Sequence, residues 1–362
     1  NFRVARVSLD IILSIFILIL LAYLFVLVLE LTKMSGIWDT LDYIARKKEI
    51  ALDKENLLSS EKFEKTKHSL RETDSVKEES LVQFRNWIQQ NRDIQNCILD
   101  DSFLLRFLRV KKHSLPMAQQ TLLKYLNFRQ KFSHVLCNLD YKEEKTSELI
   151  DAGYIVVSPF RDRDGRRVIF YNFRLVDLQK MSSLDVQRAD AITFEALVDN
   201  EETQVMGVTH VVCAQGAGAS YVPLFTANEF GYLIKWGEQS FPMRHRLIYL
   251  THISPFIRRI YEIVKGLISP KLRSRVHFDD NAEKIKKDLG TQCLPKEMGG
   301  VVPLQEMVEL FKEELEAKRE RILSYDNIKL LSDRGIIRRK NPAMDNNETG
   351  SVNGSFRKLN ID

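Results

Sequence analysis

Between residues 81 and 135, apolar residues recur with the three- and four-residue spacing of amphipathic helices. The first segment places Phe84 and Ile88 on one face. Asp100 offers an N-cap for the second segment, and Ser114 opens the third. The pattern therefore predicts an N-terminal helical subdomain of three helices, each of which buries one apolar face.

After residue 145 the pattern changes to short apolar runs separated by helical segments. Two of these runs are joined by the polar turn Arg161–Arg166 and predict a hairpin. The predicted strands are Tyr154–Val157, Val168–Tyr171, Val208–Cys213, Leu247–Thr251 and Val276–Phe278. The predicted helices are Val186–Leu197, Tyr221–Gln239, Pro255–Ile268 and Asn281–Leu289. Strands that alternate with helices predict an α/β domain, with a mostly parallel sheet covered by helices, over residues 146–303.

Residues 1–33 stand apart from this pattern. Within them, residues 11–29 are apolar except for Ser14, which is long enough for a membrane span. Basic residues flank the run on both sides, so the positive-inside rule gives no orientation. Two interpretations remain. The run is a signal anchor, or it is upstream sequence that gene prediction attached to an open reading frame whose true start is Met34. We favour the second, because nothing downstream has the character of a secreted protein.

Three further segments complete the predicted domain order. Residues 34–80 are charged with a weak helical period, which predicts a solvated helical leader. Residues 304–325 carry a charged amphipathic pattern that predicts a C-terminal helix. Residues 326–362 end in a stretch rich in Asn, Gly and Ser, so we expect a disordered tail.

Composition narrows the class of protein. The chain has 362 residues, enough for about two domains, and its net charge of +5 suits an acidic membrane surface as well as nucleic acid. Its four cysteines (Cys97, Cys137, Cys213, Cys293) form no CxxC pair and have no histidine nearby at metal-ligand spacing. We therefore predict neither a disulfide framework nor a metal site, and we expect a reducing compartment.

Candidate catalytic and cofactor motifs are weak. Gly216-Ala217-Gly218 lies between a strand and a helix, where a dinucleotide fingerprint would lie, but Tyr221 occupies the third glycine position. The acidic residues of the stretch Asp199–Glu202 precede the strand instead of following it. No serine stands in a GxSxG elbow, and the chain has no HExxH motif. We predict no catalytic residue and no cofactor.

The stretch from Phe241 to Arg275 carries the strongest chemical signal. Apolar residues separate its basic positions, and Glu262 is the only acid within it. The basic residues are Arg244, Arg246, Arg258, Arg259, Lys265, Lys271, Arg273 and Arg275. A basic surface beside an apolar wall suits a ligand with an anionic head group or an anionic membrane. A buried crossover whose outer face is basic explains the pattern equally well on charge alone.

Five motifs, in order and spacing, resemble the CRAL-TRIO family. The Phe103–Arg109 helix is similar to the family's N-terminal helical module. The motifs similar to its lipid-binding domain are Asp162-Arg163-Asp164-Gly165-Arg166, Ser240-Phe241-Pro242-Met243-Arg244, Leu272-Arg273-Ser274-Arg275-Val276-His277 and Leu294-Pro295-Lys296-Glu297-Met298-Gly299-Gly300. The resemblance covers residues 81–325 and is strongest to the branch that contains alpha-tocopherol transfer protein, clavesin and retinaldehyde-binding proteins. One departure is Cys213-Ala214-Gln215-Gly216, where the family has an acidic residue and glycine.

The resemblance implies an apolar cavity for one lipid-like molecule, closed by a mobile lid helix, and a basic cleft for phosphatidylinositol bisphosphate. The implied cleft residues are Arg244, Arg246, Lys271 and Arg275, with Arg106 or Arg109 reaching in from the helical module. The implied lid corresponds to Tyr221–Gln239. The implied pocket and lid residues are Leu224, Phe225, Phe230, Leu233, Trp236, Ile192 and Phe170.

Together these observations favour a non-enzymatic protein that binds a small hydrophobic lipid and transfers it between membranes. The lipid would be tocopherol-like, retinoid-like or phospholipid-like. We expect a cytoplasmic monomer that associates peripherally with phosphoinositide-containing membranes and has no nucleic-acid partner. Two alternatives stay open: a nucleotide-dependent oxidoreductase built on the Gly216–Gly218 turn, and a membrane-anchored scaffold that uses residues 11–29.

Overall fold

The computed structural model describes residues 61–218, 220–221, 234, 236–279 and 282–337. Its helices are α1 (Glu61–Ser69), α2 (Asp74–Gln90), α3 (Asp101–Val110), α4 (Leu115–Lys131), α5 (Ser133–Leu136), α6 (Glu144–Asp151), α7 (Ser183–Val198), α8 (Glu201–Met206), α9 (Pro255–Val264), α10 (Pro270–Arg273), α11 (Ala282–Leu289) and α12 (Leu304–Ser324). Its strands are β1 (Ile94–Gln95), β2 (Ile155–Arg161), β3 (Arg167–Asn172), β4 (Val208–Cys213), β5 (His245–Thr251), β6 (Val276–Phe278) and β7 (Lys329–Leu330). Short 3₁₀ turns cover Phe173–Leu175, Lys265–Leu267, Thr291–Cys293, Lys296–Met298 and Tyr325–Asn327, and a π-helical turn covers Trp236–Ser240.

Strands β2 to β6 form one sheet in sequential order. β2 and β3 are an antiparallel hairpin, whereas β3, β4, β5 and β6 run parallel to one another. Phe170 pairs with Val211, which in turn pairs with Tyr249. The predicted α/β architecture with a mostly parallel sheet is confirmed, and the near-continuous apolar run of β4 reflects burial of its residues.

Helices α2, α3 and α4 pack against one another and form what we call the helical module. Asp100 caps α3 as predicted, because its side chain accepts a hydrogen bond from the backbone N–H of Phe103 at 2.9 Å. The ring of Phe107 lies 5.4 Å from that of Phe103 and 5.5 Å from that of Tyr125. Helix α2 begins before the predicted subdomain boundary, at Asp74, because Thr73 provides its N-cap.

The two ends of the described chain pack onto this framework. Helix α1 lies against α8, where Phe63 contacts a small apolar cluster that includes Met206. Helix α12 packs along β2 and α7. The prediction of a disordered tail does not hold for residues 326–337, because β7 pairs with β1 and buries Leu330. None of the helices in the described part of the chain is long and apolar enough to cross a bilayer, and the predicted span at residues 11–29 lies outside it.

Gly207 determines how closely β5 approaches the connection between α8 and β4. Its φ of 86° and ψ of −165° belong to a region that only glycine adopts readily. A Cβ atom at this position would lie 2.4 Å from the carbonyl oxygen of Arg244 and 2.7 Å from Cγ of Arg246. The same Arg244 oxygen accepts a hydrogen bond from the backbone N–H of Val208 at 2.9 Å. The absence of a side chain at Gly207 therefore allows the two arginines to lie where they do.

We predict that Gly207→Ala destabilises the protein by more than the roughly 1–3 kcal/mol that its backbone conformation alone costs. The excess arises because the new methyl group would meet the backbone of Arg244. Gly216→Ala is the matched control, since Gly216 also has a positive φ, of 77°, but no heavy atom within 4 Å of its Cβ position. Guanidinium chloride unfolding measures both variants. Equal losses would show that the close approach at Gly207 contributes nothing.

Candidate functional site

The four arginine and lysine residues predicted from the Phe241–Arg275 stretch lie together beside the start of β5. Burial, and then the charges of Arg246 and Arg275, lower the pKa of Arg244 to about 10. Burial, and then the charge of Arg275, lowers the pKa of Lys271. Like charges shift one another's pKa only at short range, so these side chains share one patch.

Arg166 also belongs to this patch. It comes from the turn between β2 and β3, where the buried Asp162 accepts hydrogen bonds from the backbone N–H groups of Asp164 and Arg166 at 3.0 and 2.9 Å. After burial, the charge of Arg166 is the largest cause that lowers the pKa of both Arg246 and Arg275. We call Arg166, Arg244, Arg246, Lys271 and Arg275 the basic cluster. In the sequence, Arg166 belongs to a turn motif of the CRAL-TRIO resemblance but was not among the implied cleft residues.

Lys112 is the residue of the helical module whose charge reaches the cluster, since it helps to lower the pKa of Lys271. Lys112 and His113 are consecutive residues in the left-handed region, with φ of 53° and 56°. The ring of His113 holds this corner, because it lies 2.9 Å from Oγ of Ser80 and 3.1 Å from Oε2 of Glu72. The spacing of residues in the sequence does not predict the direction of the Lys112 side chain at this corner.

Arg106, which we expected to reach the cleft, lies inside the protein. It is 1% exposed, and its guanidinium contacts Glu195 at 3.4 Å, Asp199 at 3.1 Å and the hydroxyl of Tyr325 at 2.9 Å. Burial acts to lower its pKa, but the charges of these neighbours outweigh burial and raise it. Arg106 therefore joins the helical module to α7 and is absent from the basic cluster.

Arg109 also lies inside the protein, although we expected from the sequence that it could reach the cleft. It is 1% exposed and donates to Glu72 at 2.7 and 2.8 Å, to Glu201 at 2.5 Å and to Gln204 at 2.9 Å. Every residue of α3 from Phe103 to Arg109 is buried, so an arginine there needs an acidic partner within the fold. The structure thus corrects the expected contribution of α3 to the cleft.

The basic cluster carries a surplus of positive charge. Guanidinium groups of Arg244 and Arg275 each donate to a backbone carbonyl, those of Val205 and His245. Among the described residues, no carboxylate forms an ion pair with any of the four predicted cleft residues. Glu238 is the acid that acts on Arg275, but its carboxylate already accepts a hydrogen bond from Oγ of Ser269 at 2.7 Å. The patch can therefore accept an anion with more than one negative charge.

Three of the predicted pocket residues lie in the main core. Phe170, Ile192 and Trp236 are 3%, 1% and 5% exposed. Trp236 stacks on Phe194, with ring centroids 5.4 Å apart and an interplanar angle of 11°. Phe194 had no distinctive signal in the sequence, because an apolar residue on a buried helix has no unusual spacing. The other predicted lid residues, Leu224, Phe225, Phe230 and Leu233, lie outside the described residues.

Helix α9 has an exposed apolar surface. Phe256 is 41% exposed, Ile263 is 75% exposed and Leu267, in the 3₁₀ turn that follows, is 37% exposed. Their spacing of seven and then four residues places them along one side of a helix. This exposure is the opposite of what a buried crossover requires, so it favours a surface that contacts an apolar partner.

The Gly216 region is a hydrogen-bonded turn after β4 in the described residues. The backbone N–H of Ala217 donates to the carbonyl of Ala214 at 3.0 Å, and Gly216 has a φ of 77°. Within the part of the chain that the structure describes, no group of histidine, cysteine and acidic residues is arranged to hold a metal ion. All four cysteines are free thiols.

We predict that Arg109→Met lowers the free energy of unfolding by about 3–5 kcal/mol, because it leaves Glu72 buried without its main counter-charge. The double variant Arg109→Met/Glu72→Met should lose much less, since it removes both charges. Burial raises the pKa of Glu72, but hydrogen bonds from Arg109 and His113 outweigh burial and lower it to about 2. The stabilisation by this pair should therefore be present above pH 4.5 and disappear as the pH falls toward 2.

Chemical unfolding at several pH values measures these differences. Vesicle binding by the folded single variant should equal that of the wild type, because Arg109 does not belong to the basic cluster. A stable single variant with weakened vesicle binding would contradict this assignment.

Comparison with known proteins identifies relatives of the α/β domain and of the wider chain. The family profile described as CRAL/TRIO domain matches residues 151–300. Clavesin-1 of Xenopus laevis is 26% identical over 251 residues, which cover 69% of this chain and 76% of that protein. Clavesin-2 of Homo sapiens is 23% identical over 251 residues, which cover 69% of this chain and 77% of that protein. The crystal structure of Sfh5 shares 12% identity with a TM-score of 0.44, covering 68% of this chain and 99% of Sfh5, which is too distant to add to the assignment. Residues 151–300 of this chain are therefore similar to the CRAL/TRIO domain, and the wider chain is similar to the clavesins.

Proposed function

We propose that this protein carries a small hydrophobic lipid between membranes and recognises those that contain phosphoinositides. The observation that carries the proposal is the basic cluster, which has a surplus of positive charge and lies close in sequence to the exposed apolar side of α9. An anionic head group and the apolar region of a bilayer are the two partners that such a surface suits. The protein would act as a monomer that associates peripherally with membranes. The four free cysteines support a cytosolic location.

The chemistry of the cluster supports a ligand with several phosphates. Arginine can donate two parallel hydrogen bonds to one phosphate, whereas lysine contributes a compact charge. Arg246 and Lys271 make no side-chain hydrogen bond to another described residue, so their donors are available. Partial burial strengthens each interaction, since less water screens the charges. A bisphosphorylated inositol head group fits this arrangement better than a singly charged lipid does.

The apolar side of α9 would lie against the same bilayer. Helix α9 is followed by the turn Lys265–Leu267 and then by α10, which carries Lys271. Only three residues separate the exposed Leu267 from Lys271. A membrane that presents phosphates to the cluster would therefore meet Leu267 and, further along the helix, Ile263 and Phe256.

The described end of the proposed lid, Tyr221–Gln239, contacts both the apolar core and the start of helix α10. Trp236 packs on Phe194 in the core, whereas Glu238 accepts a hydrogen bond from Ser269, the N-cap residue of α10. A head group that binds Lys271 would act on α10 and, through Ser269, on this end of the lid. Membrane binding would in this way favour release or uptake of the lipid.

Two direct experiments test lipid carriage. Mass spectrometry of a solvent extract from the purified protein should identify one hydrophobic small molecule per chain. The protein should also accelerate transfer of that molecule between donor and acceptor vesicles. A bound nicotinamide or flavin, or a protein that never takes up a lipid, would contradict the proposal.

We predict that the double variant Arg246→Gln/Lys271→Gln binds phosphoinositide vesicles more weakly by about 1 kcal/mol for each lost charge. These two side chains are chosen because neither makes a side-chain hydrogen bond to another described residue. Arg92→Gln/Lys329→Gln is the control, since both residues are exposed and lie beside the β1–β7 pairing, away from the cluster. Sedimentation with phosphatidylcholine vesicles, with and without phosphatidylinositol bisphosphate, gives the affinities. Equal losses in the two double variants would mean that only net charge matters.

We predict that Phe256→Ala/Ile263→Ala reduces partitioning into vesicles by about 1 kcal/mol for each truncated side chain. The free energy of unfolding should change by less than about 0.5 kcal/mol through Ile263, which is 75% exposed, and by somewhat more through Phe256, which is 41% exposed. Val82→Ala/Met117→Ala is the matched control, since these exposed apolar residues, at 54% and 43%, belong to the helical module. If the control pair reduces partitioning as strongly, α9 is not the surface that contacts the membrane.

A further inference from the structure

Polar side chains form a line across the interior, outside the basic cluster. The hydroxyl of Tyr154, just before β2, donates to Oδ1 of Asp190 in α7 at 3.1 Å. On β3, the hydroxyl of Tyr171 lies 3.0 Å from Nδ1 of His210 on β4. Nε2 of His210 lies in turn 2.9 Å from Nδ1 of His245 on β5. The rings of Tyr154 and Tyr171 meet edge to face at 6.4 Å, which joins the two sets.

Asp190 is the member of this line whose presence the fold does not explain. It lies in the middle of α7, so its carboxyl group caps neither end of that helix. Burial raises its pKa to about 7, the bond from Tyr154 opposes that rise, and no cation contributes. Among the described residues, Tyr154 is the only hydrogen-bond donor to its side chain. A carboxyl group inside a protein without a cationic partner is costly, and such groups concentrate at functional sites.

The second oxygen of Asp190, Oδ2, accepts no hydrogen bond from another described residue and is not fully buried. Asp190 is half-buried, and Oδ2 is not among the polar atoms that are fully buried without a hydrogen-bond partner. Nε2 of His245, by contrast, is fully buried without a hydrogen-bond partner and lies beside Gly237. Within the polar line, Asp190 is therefore the group with an oxygen available to a bound molecule.

An aromatic wall stands next to this carboxyl group. Phe194 follows Asp190 by four residues and so lies on the same side of α7. Its ring stacks on Trp236 at 5.4 Å and lies 5.9 Å from Phe241. Because a lipid needs an apolar surface for its body and a partner for its polar end, the two neighbouring features can serve one molecule.

We propose that Asp190, supported by Tyr154, anchors the polar end of the carried lipid through a hydrogen bond that the lipid donates. The lipid would therefore have a hydroxyl or an amine at one end, and hydrocarbons, ethers and esters without a donor would bind less well. This inference rests on the proposed function and assigns the ligand's chemical class. Tyr154 occupies Oδ1 and leaves Oδ2 for the ligand, so the two donors do not compete.

Competitive binding of 1-decanol, decylamine and decyl methyl ether tests this inference, since the three probes share one chain length. At about pH 9, where the Asp190 carboxylate is ionised and can only accept hydrogen bonds, the wild type should bind the alcohol and the amine at least about tenfold more tightly than the ether. Asp190→Leu should bind the ether as tightly as the wild type does, and should bind the alcohol and the amine no more tightly than the ether, because their donors would be buried without a partner. Asp190→Asn should keep part of the preference for the alcohol and lose that for the amine. Tyr154→Phe should keep most of both preferences.

A separate measurement shows that the variants fold. Because the pKa of Asp190 is raised in the folded protein, the wild type should lose stability as the pH rises from 3.8 to about 7. Asp190→Asn lacks this loss, so its stability relative to the wild type should grow across that interval. Taking the difference between the two proteins cancels the contribution of His210 and His245, which both retain.

The outcomes separate the inference from the proposed function. If the wild type binds the ether as tightly as the alcohol, or if Asp190→Leu keeps the preference, the role of Asp190 is overturned while lipid binding stands. If no probe binds and solvent extraction recovers no lipid, lipid carriage itself fails and this inference fails with it.

Discussion

Glu195 connects the helical module to the α/β domain, and the position of the proposed sites depends on that connection. It is 1% exposed in α7 and accepts hydrogen bonds from Tyr125 at 2.7 Å, Arg129 at 3.0 Å and Arg106 at 3.4 Å. A carboxylate in this environment is tolerable only because several donors surround it. These bonds fix α3 and α4 against α7. They thereby set the distance between the corner that follows α3, with Lys112, and the basic cluster.

The arginines of this protein fall into two electrostatic classes with different consequences. Arg106 and Arg109 are buried among carboxylates, so their charge is satisfied within the fold and serves to hold it together. Burial, and then the charges of neighbouring arginines, lower the pKa of Arg244 and Arg246, although Asp162 and Asp164 offset part of this effect at Arg246. An anion that binds the second class relieves this repulsion. Such a site can bind an anion tightly because the positive charges are already held close together before the anion arrives.

Sequence reasoning succeeded where one local pattern determines the outcome. The five strands of the main sheet and the helices that bury one apolar face follow from apolar periodicity, whereas the predicted helix Tyr221–Gln239 lies largely outside the described residues. Arg275 lies beside Arg244 and Arg246, since it donates to the backbone carbonyl of His245. It failed for Arg106, because a helical arginine has the same spacing whether it contacts a ligand or a distant acid such as Glu195. Arg166 and Lys112 join the cluster through tertiary packing, which spacing does not encode. Asp190 had the pattern of a polar helix position, and only its surroundings distinguish it.

The turn Trp236–Ser240 links the two proposed sites through adjacent side chains. Its backbone closes a π-helical hydrogen bond, from the N–H of Phe241 to the carbonyl of Trp236 at 2.7 Å, and such turns occur frequently at functional sites. Trp236 contributes to the aromatic wall beside Asp190, and Glu238, two residues later, bonds the N-cap of α10. Movement of α10 toward a bound head group would therefore displace the wall against which the lipid packs. Because one short turn takes part in both contacts, a movement of that turn would couple membrane recognition directly to lipid exchange.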